Sequence, residues 1–370
     1  MPFWLRRLVL LFRYVRADRD RPDLAALARI DDPEAFVWAI LPHAARTFAA
    51  CIALMPKGSA LPSAVAYLYC RMLDTYEDLV PDASAREAAL RAFAARMSAA
   101  DARLASAPVI GAAADGDERD RAHLLLVQRA RLVDRVFTTF DQPTREIIRD
   151  LVRDMAQGMV WSSATFAAQG GVLASDAQLT EYCRHVLGNP TLFGIRILRL
   201  HYGQSQTLTS SECEDAMRVG ELVQLANVTR DIEKDLRRGV AYDPSLRGDL
   251  GRDVTRGAPQ PDTGVVERCR LVRERLLRLA LTRAPSYLRA IESIRLPGWS
   301  IARASAVLML LFTERYYRGC ARRVRLSAWA GPDSTLGILA HSIPATFSAD
   351  RGRREMARVE HEFLAAAAAR

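Results

Sequence analysis

Long Ala- and Leu-rich blocks, broken by charges, run the length of this chain, and none keeps the apolar/polar alternation or the β-branched richness of strands. That pattern predicts helices throughout. Polar connectors bearing Gly or Pro recur near 55–62, 105–120, 168–177, 242–264 and 328–337 and divide the helical blocks. The most hydrophobic late block is Ile301–Thr313, where Arg303 and the short length point to a core or pocket wall. No uninterrupted apolar stretch reaches the ~18 residues of a membrane-spanning helix.

Two acidic clusters stand out. Asp74, Glu77 and Asp78 follow the apolar block Ala64–Leu73, and Asn227, Asp231 and Asp235 follow Leu222–Ala226. Residues three and four apart share one helix face, so each set converges on one side of a helix whose other sides are apolar. Carboxylates gathered in such surroundings repel one another unless a cation neutralises them. Oxygen donors without a Cys or His cluster suit Mg²⁺, which keeps waters and shares substrate phosphates with one or two carboxylates. Two facing acidic helices would then clamp diphosphate. A solvated charged face is the plainer expectation for one cluster, and the repeat with its apolar flanks outweighs it.

Half of the 370 residues are hydrophobic, enough to bury a large core. The clusters lie in separate halves yet must meet to work, which predicts a single domain. Within it, residues 1–35 form a basic and apolar N-terminal segment, 36–325 the catalytic part, and 326–370 a helical C-terminal extension. Six scattered cysteines without C-x-x-C spacing look like reduced core residues, which predicts a cytoplasmic protein. The histidines form no zinc signature. A net charge of +9 suits nucleic acid, a membrane surface or an anionic substrate. The arginines spread through nearly every helix rather than forming a basic stripe with interleaved aromatics, which argues against nucleic acid. The segment Met1–Arg16 mixes aromatic, aliphatic and arginine residues, so it reads either as an interfacial helix on the inner face of the membrane or as a helix docked on the core.

Arg46-Thr-Phe-Ala49, Tyr67–Asp78, Gly158-Met159, Tyr182–Gly188 and Gln224–Asp235, closed by Arg237–Pro244, resemble in order the landmarks of the squalene/phytoene synthase family. The resemblance runs from about residue 36 to 325. It implies an all-α isoprenoid-synthase-type helical bundle around a central channel, with both acidic clusters near its mouth. It also implies that Asp74, Glu77, Asp78, Asn227, Asp231 and Asp235 hold Mg²⁺ and two diphosphates. Arg46, Arg71 and Arg230 match diphosphate-binding arginines, Gln224 a substrate contact, and Tyr67 and Tyr182 tyrosines of the reaction centre, with Arg71 beside them.

The activity implied is head-to-head condensation of two farnesyl diphosphates through presqualene diphosphate to squalene, with NADPH as reductant. The alternatives are a phytoene synthase using geranylgeranyl diphosphate, a terpene cyclase of the same family, and a non-catalytic assembly or lipid-binding protein. Three positions depart from the family pattern. Lys234 stands where a carboxylate usually precedes the last Asp, Val240 where an arginine follows Gly239, and Leu187 where a small residue precedes Gly188. Pro190, which has no N–H to donate, predicts a kink in the helix that carries Tyr182.

Overall fold

Asp23, Ser175, Thr209, Asp262, Ser334 and Ser348 each turn a side-chain oxygen onto a backbone N–H in the first turn of a helix. Such caps satisfy donors that a helix start leaves open and contribute about 1 kcal/mol apiece. At Thr209 the cap is reciprocal, because Glu212 returns its carboxylate to the Thr209 N–H at 2.8 Å.

The computed structural model describes residues 7, 9–11, 22–45, 47–98, 104–110, 118–255, 262–326 and 329–369. Its helices in chain order are α1 (Leu24–Ala28), α2 (Pro33–Ala45), α3 (Thr47–Ala53), α4 (Lys57–Leu79), α5 (Ala83–Ser98), α6 (Glu118–Gln128), α7 (Ala130–Thr138) and α8 (Gln142–Ala168). There follow α9 (Asp176–Cys183), a π-helical turn (Arg184–Gly188), α10 (Asn189–His201), α11 (Ser210–Arg237) and a 3-10 turn (Pro244–Asp249). The chain continues through α12 (Thr263–Leu281), α13 (Pro285–Glu292), α14 (Ile301–Arg323), α15 (Thr335–Ser342), a second 3-10 turn (Ile343–Thr346) and α16 (Ala349–Ala368). Among the described residues the one departure from this all-α pattern is an isolated parallel bridge between Val172 and Ala241. The connector expected near 55–62 is shorter in the structure: Pro56 caps α4 and Pro62 lies inside it. No helix of the described residues is long and apolar enough to cross a membrane.

By its internal contacts the chain divides into two compact units. The first comprises Met1–Val160, Arg196–Thr207 and Ser300–Ser305. Its core is built on α4, which packs against α2, α5, α6 and α7. Tyr69 and Tyr76 on α4 are fully buried against Phe93, and Tyr69 also meets Phe137 edge-on at 5.8 Å. The Tyr69 hydroxyl donates to Asp134 at 2.9 Å, and the buried Arg96 is ion-paired to the same carboxylate. Burial pushes the Asp134 carboxyl up, and Arg96 opposes that shift. A buried pair of this kind costs about 3–5 kcal/mol when one partner is removed. The rotation of α4 about its axis is thereby fixed. Of the N-terminal segment, Arg7 and residues 9–11 are described: Arg7 donates to the Met55 carbonyl at 2.7 Å and Leu10 is buried, as in a docked helix.

The second unit comprises Trp161–Ile195, Leu208–Trp299 and Ala306–Arg370. Its centre is α11, packed against the π turn, α12 and α13. Glu221, almost wholly buried, accepts from Arg184 and Arg283, each at 2.7 Å. Buried Arg273 donates to the Thr229 carbonyl at 2.8 Å and pairs with Glu233. The Tyr317 hydroxyl is hydrogen-bonded to the Leu222 carbonyl. The C-terminal helix α16 packs within this unit against α12 and α13. All six cysteines are free and all but Cys213 are buried, as small core residues should be.

Candidate active site

The core contacts on α4 leave a single partly exposed stripe. Tyr67, Arg71, Asp74 and Glu77 are half-buried, Asp78 is exposed, and the residues between them are buried. Within the stripe Arg71 pairs with Asp74 at 3.0 Å and donates to the Tyr67 hydroxyl at 3.1 Å. Its guanidinium also lies 5.9 Å from the centre of the Tyr67 ring, which in turn contacts Phe48. Burial works against the charge on Arg71, but Tyr67, Asp74 and Asp78 outweigh it and hold its pKa above the ordinary arginine value. Arg71 is therefore a fixed cation that the helix itself aims along its acidic face. Arg46 lies outside the described residues.

An equivalent stripe runs along α11. Asn227, Arg230, Asp231, Lys234 and Asp235 are half-buried, as is Glu233, while Val228, Thr229, Ile232 and Leu236 are buried, and Gln224 lies buried one turn before Asn227. Arg230 meets Asp231 with two parallel hydrogen bonds, 2.8 Å from Nε and 2.5 Å from Nη2, and its guanidinium lies 5.0 Å from the Tyr316 ring centre. Burial again opposes the charge, and the Asp231 hydrogen bonds outweigh it, so the Arg230 pKa is also raised. Glu233, the acidic residue next to Lys234, is engaged by Arg273.

A relay of side chains links α11 to the aromatic residues of its unit. Asn227 donates to Gln224 at 3.1 Å, Gln224 reaches the Tyr182 hydroxyl at 3.4 Å, and that hydroxyl lies 3.4 Å from the Tyr242 hydroxyl. Phe166 meets both tyrosine rings edge-on, at 6.2 and 5.9 Å. Tyr242 and Phe166 are additions to the residues expected from sequence. Tyr242 lies in the Arg237–Pro244 segment, but no helical period connects it to Tyr182. The link is made by Gly239 at φ 79°, which turns the chain back so that Ala241 pairs with Gly171 and Leu173. A Cβ on Gly171 would lie 2.3 Å from the Gly239 carbonyl oxygen, so this closure requires glycine. In the same turn the Val240 N–H is bonded to the Asp235 carbonyl, and Arg237 pairs with Asp253 at 3.6 Å.

The kink expected at Pro190 takes the form of the π turn just before it. Asn189 N–H donates to Arg184 O, five residues back. In that register the next donor would be the N–H that Pro190 lacks, and Asn189 Nδ2 makes a long 3.5 Å contact with His185 O instead. Thr191 Oγ1 donates to Leu187 O at 2.8 Å. The turn lies flush on α11, because a Cβ on Gly220 would be 2.3 Å from the Gly188 nitrogen.

The donors on both stripes are oxygens of carboxylates and one amide. Among the described residues no three His, Cys, Asp or Glu side chains come close enough together to enclose a metal. This donor set fits Mg²⁺ held by one or two carboxylates and completed by phosphate and water, rather than a closed protein cage. In the structure Arg71 pairs with Asp74 in the first cluster and Arg230 with Asp231 in the second.

The model of the squalene/phytoene synthase family matches residues 41–330. The squalene synthase of Botryococcus braunii is 29% identical over 206 residues, which is 55% of this chain, and the matched part spans 40% of that relative's length. Two solved structures of TcSQS with bound ligands align over 91% of this chain and 99% of theirs, at 15% identity and TM-scores of 0.64 and 0.66. That likeness establishes the all-α isoprenoid-synthase fold. Since the family match takes in most of the chain, including α4 and α11 with their two stripes, this protein belongs to the squalene/phytoene synthase family.

Proposed function

We propose that the chain is a prenyltransferase that joins two allylic prenyl diphosphates head to head, with farnesyl diphosphate as substrate, presqualene diphosphate as intermediate and squalene as product. The observation that supports this reading most directly is that each acidic stripe carries its own arginine already paired to a carboxylate, Arg71 with Asp74 and Arg230 with Asp231. A guanidinium presents a planar fork of donors that suits a diphosphate as well as a carboxylate. Mg²⁺ held by Asp74, Glu77 and Asp78, and by Asn227, Asp231 and Asp235, would supply Lewis-acid charge to the diphosphate oxygens.

Arg71 and Arg230 bind and orient the leaving diphosphates in this proposal. Tyr67, hydrogen-bonded to Arg71, holds that guanidinium in place. Gln224 fixes the orientation of Asn227, and the Tyr182–Tyr242 hydroxyl pair offers a site where a proton can be held. The faces of Phe166, Tyr182 and Tyr242 favour a carbocation electrostatically and exclude the water that would quench it. NADPH enters the proposal with squalene as product. The free cysteines suit a cytoplasmic setting.

The test is turnover of farnesyl and of geranylgeranyl diphosphate by purified protein with Mg²⁺, each with and without NADPH, with products identified by mass spectrometry. Squalene formed only with NADPH is the expected result. Asp74→Asn and Asp231→Asn should each lower turnover at least about 100-fold, the usual cost of losing one charge-stabilising group, with unchanged circular dichroism. Normal turnover in both variants would sink the mechanism. Phytoene from the longer substrate would move the proposal to carotenoid-type condensation, and no turnover of either substrate would remove it.

A further inference from the structure

The outer face of the C-terminal part is apolar where a surface helix is normally polar. Leu336, Ala340 and Ile343 follow one another at helical spacing along α15 and into the turn after it, and Phe347 continues the line. All four are exposed, Leu336 by 69% and Phe347 by 56%. The inner face of the same stretch is already filled by the buried Ile338, Leu339 and Ala345. Trp299, on the loop after α13, is 75% exposed and meets Phe347 edge-on with ring centres 5.3 Å apart. Single exposed apolar residues need no explanation, but a contiguous ridge with a tryptophan at its end marks an interaction surface.

The charge beside the ridge identifies the partner. α16 begins two residues after Phe347 with Ala-Asp-Arg-Gly-Arg-Arg, so Arg351 and Arg354 stand exposed beside Asp350, while Arg353, also exposed, pairs with Glu292 at 2.9 Å. Arg295 lies exposed on the Trp299 loop. Aromatic residues at headgroup depth, aliphatic residues at the acyl boundary and arginines on lipid phosphates are the chemistry of an interfacial contact. Self-association through this face would be isologous and would bring two copies of one basic cluster into the same interface.

We propose that the ridge Leu336–Ile343–Phe347–Trp299 docks on an anionic lipid bilayer, with the arginines at the start of α16 contacting lipid phosphates. This surface lies outside the residues assigned to chemistry and does not rest on the choice of substrate. The test is co-sedimentation of the full chain with phosphatidylcholine vesicles, with and without phosphatidylglycerol. Binding should require phosphatidylglycerol and weaken as salt is raised. Trp299→Ser combined with Phe347→Ser should lower the partition coefficient about tenfold or more, by removing two large apolar groups from the interface. Arg351→Gln with Arg354→Gln should lower binding to the anionic vesicles alone. If the aromatic double variant has an altered melting curve, Trp299→Ser carries the test by itself, since its ring stands mostly in solvent. Absence of wild-type binding overturns the proposal, as does equal binding by the aromatic variants. A concentration-dependent dimer abolished by those same variants, without vesicle binding, would assign the ridge to a second copy and overturn it too.

Discussion

The flush contact between α11 and the π turn gives a sharp prediction for Gly220→Ala. The added Cβ would lie 2.3 Å from the nitrogen and 2.4 Å from the Cα of Gly188, and 2.5 Å from the Leu187 carbonyl carbon. All three are backbone atoms, so no side chain can rotate away. Reaching an ordinary contact of ~3.4 Å means moving α11 and the π turn apart by about 1 Å, and forced overpacking of this kind costs about 1–3 kcal/mol. The movement also acts on the relay, since Gly220 lies one turn before Gln224 on α11 and Gly188 follows Tyr182 on the facing segment. A Gln224–Tyr182 contact already at 3.4 Å does not survive a further ångström. The variant should therefore unfold at lower urea and lose turnover together. Gly194→Ala is the matched control: its Cβ would meet nothing within 4 Å, and alanine in a helix interior is favoured over glycine by up to ~1 kcal/mol. Urea unfolding followed by circular dichroism compares the two variants. Equal midpoints for Gly220→Ala and wild type would refute the close-approach argument.

Arg71→Gln should lower kcat/KM for the prenyl diphosphate about 100-fold, because it removes a fixed cation from the acidic stripe, and Arg71→Lys should recover part of the loss because it keeps the charge without the fork. Steady-state kinetics within twofold of wild type would exclude Arg71 from diphosphate binding. A separate expectation concerns acid. Burial opposes ionisation of Asp243, but the Ser245 hydroxyl and N–H together with Arg275 outweigh it and hold the carboxyl below its usual range. A depressed folded pKa contributes stability that is complete above the unfolded value of about 3.9 and is lost as pH falls through the folded value. Asp243→Asn should therefore flatten the acid limb of the stability profile, read by tyrosine fluorescence since Tyr242 is adjacent. An acid limb unchanged in the variant would assign it to other carboxylates.

Helix was legible from Ala- and Leu-rich blocks without strand-like alternation, and the helical spacing of the acidic residues also places the half-exposed stripes of α4 and α11 correctly. What the period could not supply is which charge meets which. Of the carboxylates in the two clusters, Asp74 is paired with Arg71 and Asp231 with Arg230, and Glu233 is taken by Arg273. Arg71 precedes Asp74 by three residues and Arg230 precedes Asp231 by one, so the first pairing was readable from spacing and the second needed the rotamer. Tyr242 was out of reach because its approach to Tyr182 depends on a positive φ at Gly239 and a two-residue bridge, both non-local. Pro190 announced a disturbance without its form. Whether a missing N–H bends a helix or shifts its register depends on the neighbours that donate to the orphaned carbonyl, here Asn189 Nδ2 to His185 O.

That register shift has a bearing on how the gene can change length. A π turn holds one residue more than the α-helix it interrupts. Elsewhere in a helix, deleting one codon swings everything downstream by about 100° and turns its buried face outward. Between Arg184 and Gly188 the same deletion would be absorbed by reversion to ordinary α-helix, with α9 and α10 keeping their faces. The segment that carries Tyr182 is thus one place in this helical chain where a one-residue deletion can be tried by descent without turning a buried face outward.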